Sequence, residues 1–355
     1  MSLKSAWPKQ LLDWYLDQKR DLPWRKNQDP YPVWISEMML QQTQVTSVID
    51  YFNRFLKRFP TVETLAKAPM DDVLKCWEGL GYYSRARNLK KAAEVIAFEL
   101  KGVFPNTFED LIKLPGIGPY SAAAIASIAF NEKIPVVDGN VFRVFSRFWD
   151  CDLDIGHAKT KKYFFNALQD SIKSIQIPGD FNQAMMELGA LLCSPKSPKC
   201  LLCPIEKDCQ SKKNGTLLAR PVKAKKAPVP TYNVVVGLLK QNKKILIAKR
   251  PEDKLLGGLW EFPGGKIEKN ESPEEALKRE FLEELQVRIY VLDYIGEIKH
   301  AYSHFKINLK AYYCSIKKGK PKQAQKTALK WININELESF AFPKANKKLF
   351  PFLKD

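Results

Sequence analysis

Apolar residues follow two different rhythms along the chain. Up to about residue 190 they recur at helical spacing, and from Tyr232 they alternate as in strands. The N-terminal run WPKQLLDWYLDQKR predicts a first helix. From Trp34 a helix is predicted in which Ile35, Met38, Val45, Ile49 and Phe52 make one apolar stripe. Glu37 falls beside that stripe, with Leu40 and Gln41 on the same face at i+3 and i+4. Two further helices are expected between residues 61 and 100. The stretch from Leu111 to Val144 then joins two apolar helices through a tight turn at Gly116 and Gly118. Pro119 opens the second of them, at a place where no N–H is needed. Ser121 to Ala129 is rich in alanine, so a neighbour can lie close against it. The VVDGNV run holding Asp138 and Asn140 reads as a buried loop entering a helix.

Charge adds a second division. The chain has 355 residues and a net charge of +18, a balance that suits a nucleic-acid partner. Residues 1–211 carry 27 Lys+Arg against 24 Asp+Glu, or +3; residues 212–355 carry 30 against 15, or +15. The first part therefore cannot hold a nucleic acid by bulk charge; if it binds one, it must use local phosphate contacts, while the second part would supply long-range attraction. Those lysines would also serve solubility alone. No apolar run is long enough to cross a membrane, and the N-terminus resembles neither a secretion signal nor a transit peptide. A cytoplasmic, bacterial, nucleoid-associated and monomeric protein is expected.

Four cysteines within 17 residues give the sharpest signal. Cys193, Cys200, Cys203 and Cys209 follow C-x6-C-x2-C-x5-C. In a cytoplasmic-type chain such crowding means metal rather than disulfides. Zinc sites usually show two C-x2-C pairs and only one is present; an iron–sulfur cluster needs four thiolates, and zinc is the alternative. Lys196 and Lys199 lie in the loop closed by the first two cysteines, which would make that loop a basic surface for DNA. Cys76, Cys151 and Cys314 are isolated and read as structural.

Residues 212–231, rich in Pro and Lys, read as an extended basic strap. After it come the strands YNVVVGLLK and KKILIAKR. The pattern G-x5-E-x7-R-E-U-x-E-E-x-G-U then runs from Gly265 through Glu271, Arg279 and Glu280 to Val287, departing only at Gln286. Glu280, Glu283 and Glu284 share one helix face, a cluster able to hold Mg²⁺. The bland alternative is that these carboxylates make salt bridges. The chain is expected to close on a strand running into an amphipathic helix.

These motifs resemble known families. The LPGIG turn with Asp138 beyond it resembles the helix-hairpin-helix DNA glycosylases, and SEMMLQQTQV around Glu37 resembles the adenine DNA glycosylase family. The cysteine spacing is similar to that of the [4Fe–4S] loop in the endonuclease III and adenine glycosylase families. Residues 265–287 resemble the Nudix hydrolases, whose fold would be an α/β/α sandwich with a mixed sheet. The resemblance implies a mainly α helix-hairpin-helix glycosylase domain over residues 1–211, with the hairpin at about 107–130 and the cluster loop at 193–209. It also implies a Nudix-like domain over 232–355.

It further implies roles. Glu37 would be the catalytic acid and Asp138 the second carboxylate, with Asn140 and Tyr120 assisting. Gln42 and Tyr82 would insert into the base stack, and Gly116 and Gly118 would grip a phosphate. Tyr82 follows a glycine turn beside Arg85 and Arg87, which suits a DNA wedge; two half-buried tyrosines with a basic helix face are the other reading. Trp24, Arg25 and Met186 would line the adenine pocket. Tyr302, Ser303 and His304 would read 8-oxoguanine on the opposite strand. Relatives that also cut the backbone carry a lysine where this chain has Tyr120, and tyrosine cannot form a Schiff base with the sugar. The expected activity is a monofunctional glycosylase removing adenine opposite 8-oxoguanine, or guanine, in double-stranded DNA. A bifunctional glycosylase/lyase is one alternative. Nucleotide pyrophosphohydrolysis with Mg²⁺ at the near-intact Nudix box is another.

Overall fold

The computed structural model describes residues 6–224, 228–324 and 328–353. The chain divides into two compact units, Met1–Lys67 with Lys91–Lys226, and Ala68–Lys90 with Ala227–Asp355. The contribution of residues 68–90 to the second unit is not legible in the sequence pattern.

Helices run in order as α1 (Trp7–Gln18), α2 (Pro30–Leu40), α3 (Val45–Arg58), α4 (Val62–Lys67), α5 (Met70–Trp77) and α6 (Ser84–Glu94). They continue as α7 (Phe108–Leu111), α8 (Pro119–Phe130), α9 (Gly139–Phe148), α10 (Ala158–Ile172), α11 (Pro178–Leu191) and α12 (Gln210–Lys213). The single helix expected from Trp34 is in fact two. Gln42 takes a left-handed φ of 58° and breaks the ladder between α2 and α3. The buried face of α3 is therefore Val48, Phe52 and Phe55, and the expected Val45 and Ile49 are only half-buried. Helix α2 is buried almost all round, including Glu37, and is the central strut of this unit.

The alanine-rich helix α8 does receive a close neighbour. A Cβ at Gly179 of α11 would stand 2.7 Å from Ile128 Cα and from the Ser127 carbonyl, so only glycine fits. A second core gathers Trp7, Leu11 and Tyr15 of α1 with Phe145, Phe164, Phe181 and Leu188. These large side chains fix α1, α9, α10 and α11 around the region where Asp138 begins α9.

Residues 212–224 of the expected strap are folded onto this unit. Ser211, Asn214 and Thr216 donate to Asp150, Arg220 pairs with the same carboxylate, and Ile155 N–H donates to the Val222 carbonyl. Residues 225–227 of the strap lie outside the described residues.

The second unit is built on a mixed sheet. Its strands are β1 (Thr231–Gln241), β2 (Lys244–Lys249), β3 (Trp260–Glu261), β4 (Gly264–Lys266), β5 (Arg288–Ala301), β6 (Lys306–Lys318) and β7 (Ala328–Ile332). The order is β3-β2-β1-β6-β5, with β4 on β1 and β7 on β2. Only the β1–β6 pairing is parallel among those described. Val235, Val236, Leu238 and Leu239 of β1 are buried on both faces, as a central strand requires. Helix α13 (Pro273–Leu285) covers one face with Leu277, Phe281 and Leu285. The other face packs on Leu337, Phe342, Ala345 and Leu349. The expected C-terminal amphipathic helix is instead a 3-10 turn at Ile334–Ser339 and the one-turn α14 (Lys344–Lys347). Pro343 stands between the two and starts the second.

Candidate active site

Three side chains from separate elements meet on one cavity of the helical unit. Glu37 comes from the middle of α2, Tyr120 from the first turn of α8, and Asp138 from the start of α9; all three line a cavity of about 150 Å³. An apolar cavity of that volume takes a benzene ring, so this open one has room for a planar base entering from its mouth. Trp24, Arg25, Met186 and Asn140 line it too.

Each side chain is held by its local fold. Asp29 caps α2 by accepting from Tyr31 N–H at 2.9 Å, which sets the helix that carries Glu37. Glu37 is 5% exposed. The Tyr120 hydroxyl donates to Glu37 Oε2 at 2.8 Å. Asp138 is the N-cap of α9, its Oδ1 accepting from Val141 N–H at 2.7 Å. Asn140 Nδ2 donates to Asp138 Oδ2 at 3.0 Å, and Asn140 Oδ1 accepts from Arg143 at 2.8 Å.

The two carboxyls differ in how well they carry charge. Burial raises Glu37 to about 7; the Tyr120 hydrogen bond lowers it, the Asp138 charge raises it further, and Arg25 lowers it. Burial also raises Asp138, against the N–H of Val141 and the Asn140 amide, which favour its anion. Asp138 thus has several donors for its negative form where Glu37 has one. Burial makes both harder to ionise than free carboxyls, and Asp138 has the larger set of donors for its anion. Burial, then the charges of Glu37 and Asp138, pushes Tyr120 far up, so its phenol stays a donor.

Beside them lies a group that sequence reasoning missed. Glu187 of α11 is 2% exposed and accepts two hydrogen bonds from Arg20, both at 2.7 Å. It also accepts from Arg25 Nη2 at 3.0 Å, and Arg25 Nε donates to Gln183 Oε1 at 2.8 Å. Burial alone would raise the Glu187 carboxyl, but the arginines outweigh it and hold it at about 2. Glu187, Gln183 and Arg20 all line the cavity. A lone glutamate in AMMELGA gives no hint of partners more than 160 residues away.

The hairpin turn rests on two glycines. Gly116 takes a φ of 75°, which favours glycine. A Cβ at Gly118 would meet nothing within 4 Å, so its openness faces outward. Gln42 is exposed.

The four cysteines line one small cavity of about 30 Å³, together with Lys199 and Lys212. No three of the described His, Cys, Asp and Glu side chains converge tightly enough for a single ion. Four thiols on one void are the donor set that an iron–sulfur cluster requires, and zinc takes the same set. The void's wall is braced from inside. Arg147, 1% exposed, donates to the carbonyls of Ser194 and Pro195 at 2.7 Å each and to Cys193 Sγ at 3.4 Å. Lys196 and Lys199 are exposed.

In the second unit, Tyr302, Ser303 and His304 form the turn between β5 and β6, with Ser303 and His304 exposed. The Tyr302 ring stacks on Phe305, with centroids 4.7 Å apart. Tyr82 belongs to this unit and meets His304 edge-on, with ring centroids 5.9 Å apart. Glu280, Glu283 and Glu284 do share α13, but Arg279 engages Glu271, Glu280 and Glu283 at 2.9, 3.0 and 3.3 Å. Glu271, Glu280 and Glu283 work here as salt-bridge partners, Glu284 accepts from Gly264 N–H at 3.4 Å, and no three carboxylates, His or Cys among the described residues group as a metal site.

Comparison with known proteins finds two families, the first of them spanning residues 68–90, which pack with the second unit. Residues 35–172 match the HhH-GPD superfamily of base excision DNA repair proteins, and residues 234–351 match the NUDIX domain. Adenine DNA glycosylase of Rattus norvegicus is 34% identical over 98% of this chain and 77% of its own length. The chain belongs to the adenine DNA glycosylase family. The adenine DNA glycosylase of Buchnera aphidicola subsp. Acyrthosiphon pisum is 34% identical over 97% of this chain and 96% of its own length. Among solved structures, a thermostable thymine-DNA glycosylase superposes with a TM-score of 0.54 at 29% identity, over 59% of this chain and 96% of that one. The protein is a DNA glycosylase of base excision repair, acting on DNA. Among the described residues no helix is long and apolar enough to cross a membrane.

Proposed function

We propose that this glycosylase hydrolyses the N-glycosidic bond of adenine mispaired with 8-oxoguanine, with A·G a lesser substrate, and that it does not cut the strand. The observation that carries the reading is the convergence of Glu37, Tyr120 and Asp138 on one cavity. Adenine is a poor leaving group as an anion, so its ring must be protonated as it departs. Glu37, raised to about 7 by burial, keeps a proton near neutrality. Its Oε2 is taken by Tyr120, which leaves Oε1 to carry that proton. Positive charge then grows on the sugar, and Asp138 meets it as an anion or as a covalent partner, as in retaining glycosidases. Asn140 orients Asp138 through its 3.0 Å hydrogen bond. A tyrosine at position 120 supports hydrolysis without a Schiff base.

The base must leave the helix to reach the cavity, at a cost lowest for a mispair. Gln42 and Tyr82 would fill the stack, Gly116 and Gly118 would bind a phosphate, and Trp24, Arg25 and Met186 would enclose the adenine. Gln42 and Tyr82 both hold positive φ, at 58° and 48°, a cost that non-glycine residues usually bear at functional positions. The β5–β6 turn, with Ser303 at its exposed tip, would read 8-oxoguanine. Cys193, Cys200, Cys203 and Cys209 would hold a [4Fe–4S] cluster, which supplies rigidity to the basic loop at Lys196 and Lys199 and no step of base removal.

Adenine release from duplexes carrying 8-oxoguanine, guanine or thymine opposite tests this directly. The expected order is 8-oxoguanine first, guanine second and thymine last. Equal rates on all three would remove the specificity. Borohydride trapping of a protein–DNA adduct on abasic DNA would replace hydrolysis by a lyase mechanism.

A further inference from the structure

Within the C-terminal unit, Glu78 ends α5 and gathers three donors. Its Oε1 accepts from Phe342 N–H at 2.9 Å. Its Oε2 accepts from Lys347 at 3.0 Å and from Lys75 at 2.7 Å. The side chain is 11% exposed, and Lys75 also donates to the Phe340 carbonyl at 3.1 Å. Helix α5 is thus pinned to the chain between Phe340 and Lys347 by one carboxylate. Asp71 with Lys249, and Arg87 with the Gly257 carbonyl, fix the same segment elsewhere on this unit.

Four residues beyond Glu78 stands Tyr82. The turn between them is stiff. Trp77 Nε1 donates to the Gly81 carbonyl at 3.2 Å, and Gly79 N–H to the Tyr83 hydroxyl at 3.2 Å. Arg85 donates to the carbonyls of Leu80 and Gly81 and lies over the rings of Trp77 and Tyr82. A shift of Glu78 would therefore carry Tyr82 with it. On the other side, α14 holds Lys347 and also Ala345, whose N–H donates to the Tyr302 hydroxyl at 3.4 Å. One turn of helix so touches both the Glu78 anchor and the β5–β6 turn, and Tyr82 closes the circuit on His304.

We propose that Glu78 is a positioning residue for reading the base opposite the adenine: it sets the Tyr82 wedge in register with the Tyr302–His304 turn. This rests on the proposed reading of that turn as the 8-oxoguanine sensor. Two probes that must grip one nucleotide need their spacing held to about half an ångström, and a multiply bonded carboxylate between α5 and α14 supplies such a hold.

Single-turnover adenine release from duplexes with 8-oxoguanine or guanine opposite tests it, using the ratio of the two rates. Glu78→Ala should lower that ratio about tenfold, and Tyr82→Ala should lower it as well. The double variant should fall no further than Tyr82→Ala alone, because coupled positions are not additive. Glu78→Gln, which keeps an acceptor for Phe342 N–H, should be intermediate. A merely structural role would slow both duplexes alike and leave the ratio in place; that result, or additive losses, overturns the proposal. If Glu78→Ala does not fold, Glu78→Gln and Lys347→Met take its place, and an unchanged ratio in both overturns it equally. Equal wild-type rates on the two duplexes would instead remove the sensor reading, and this proposal with it. A strong wild-type preference that survives loss of Glu78 defeats only the role given to Glu78.

Discussion

Tyr120 donates its phenolic proton to Glu37 across 2.8 Å, joining α8 to α2 at the floor of the cavity. The bond does two opposing things. It favours the Glu37 anion, while the burial that makes the contact disfavours it more. Glu37→Gln keeps the volume and loses the acid, so adenine release should fall by at least about 10²-fold while duplex binding persists. Gel-shift affinity beside single-turnover rates checks both halves.

The activity should depend on pH through both carboxyls. Glu37 must hold its proton, so the rate should decline as pH rises through about 7. Asp138 must be ionised, so the rate should also decline on the acid side, from a value raised above the usual aspartate range. A bell-shaped profile of the chemical step is expected. A flat rate from pH 6 to 9 would show that Glu37 is not the acid.

The same proton has a cost in stability. Glu37 binds it more tightly folded than unfolded, so the protein loses stability as pH climbs from about 4.5 to about 7. The accumulated loss is about 3 kcal/mol. Glu37→Gln should remove this slope, and its melting temperature at pH 8 should exceed that of the wild type. Denaturation at a series of pH values measures the difference.

Glu187 works with the opposite sign. Its carboxyl is held at about 2, so its contribution is complete above the unfolded value near 4.5 and is lost as pH falls through about 2. Glu187→Leu leaves Arg25 buried without its carboxylate, which should cost about 3 kcal/mol, somewhat less if the partly exposed Arg20 reaches water. Urea denaturation of the variant gives the number, and adenine release should fall as Arg25 loses its place on the cavity wall.

Cys203→Ala should lose iron. The wild type should carry about four iron and four sulfide per chain, as a cubane cluster requires, and chelation should lower the melting temperature by loosening residues 193–209. One tightly bound zinc per chain and no sulfide would replace the cluster by a mononuclear site.

Much of this was readable from residue order. The turn at Gly116, the helix that follows Asp138 and the strand rhythm after Tyr232 are local patterns, and each appears where its pattern puts it. What was not readable depends on long-range pairing. The periodicity through Phe52 concealed a break, because Gln42 pays no visible penalty in sequence for a left-handed φ. Glu187 meets Arg20 and Arg25 only after α1 and α11 pack. Residues 68–90 are held in the C-terminal unit by Asp71, Glu78 and Arg87, and nothing in the local pattern of those three charges names their distant partners. The Nudix glutamates allow either a metal cluster or salt bridges in sequence, and Arg279 among them supplies the salt bridges.

Asp138 begins α9 by the same carboxylate that faces the cavity. Helix initiation is nearly indifferent among Asn, Asp and Ser at such a place. What the fold does use is the second oxygen: Oδ1 starts the helix and Oδ2 accepts from Asn140. Asp138→Asn would therefore keep the helix start and subtract one unit of charge, but its amide NH₂ would face the Asn140 donor, so one substitution removes both the charge and the contact that orients it.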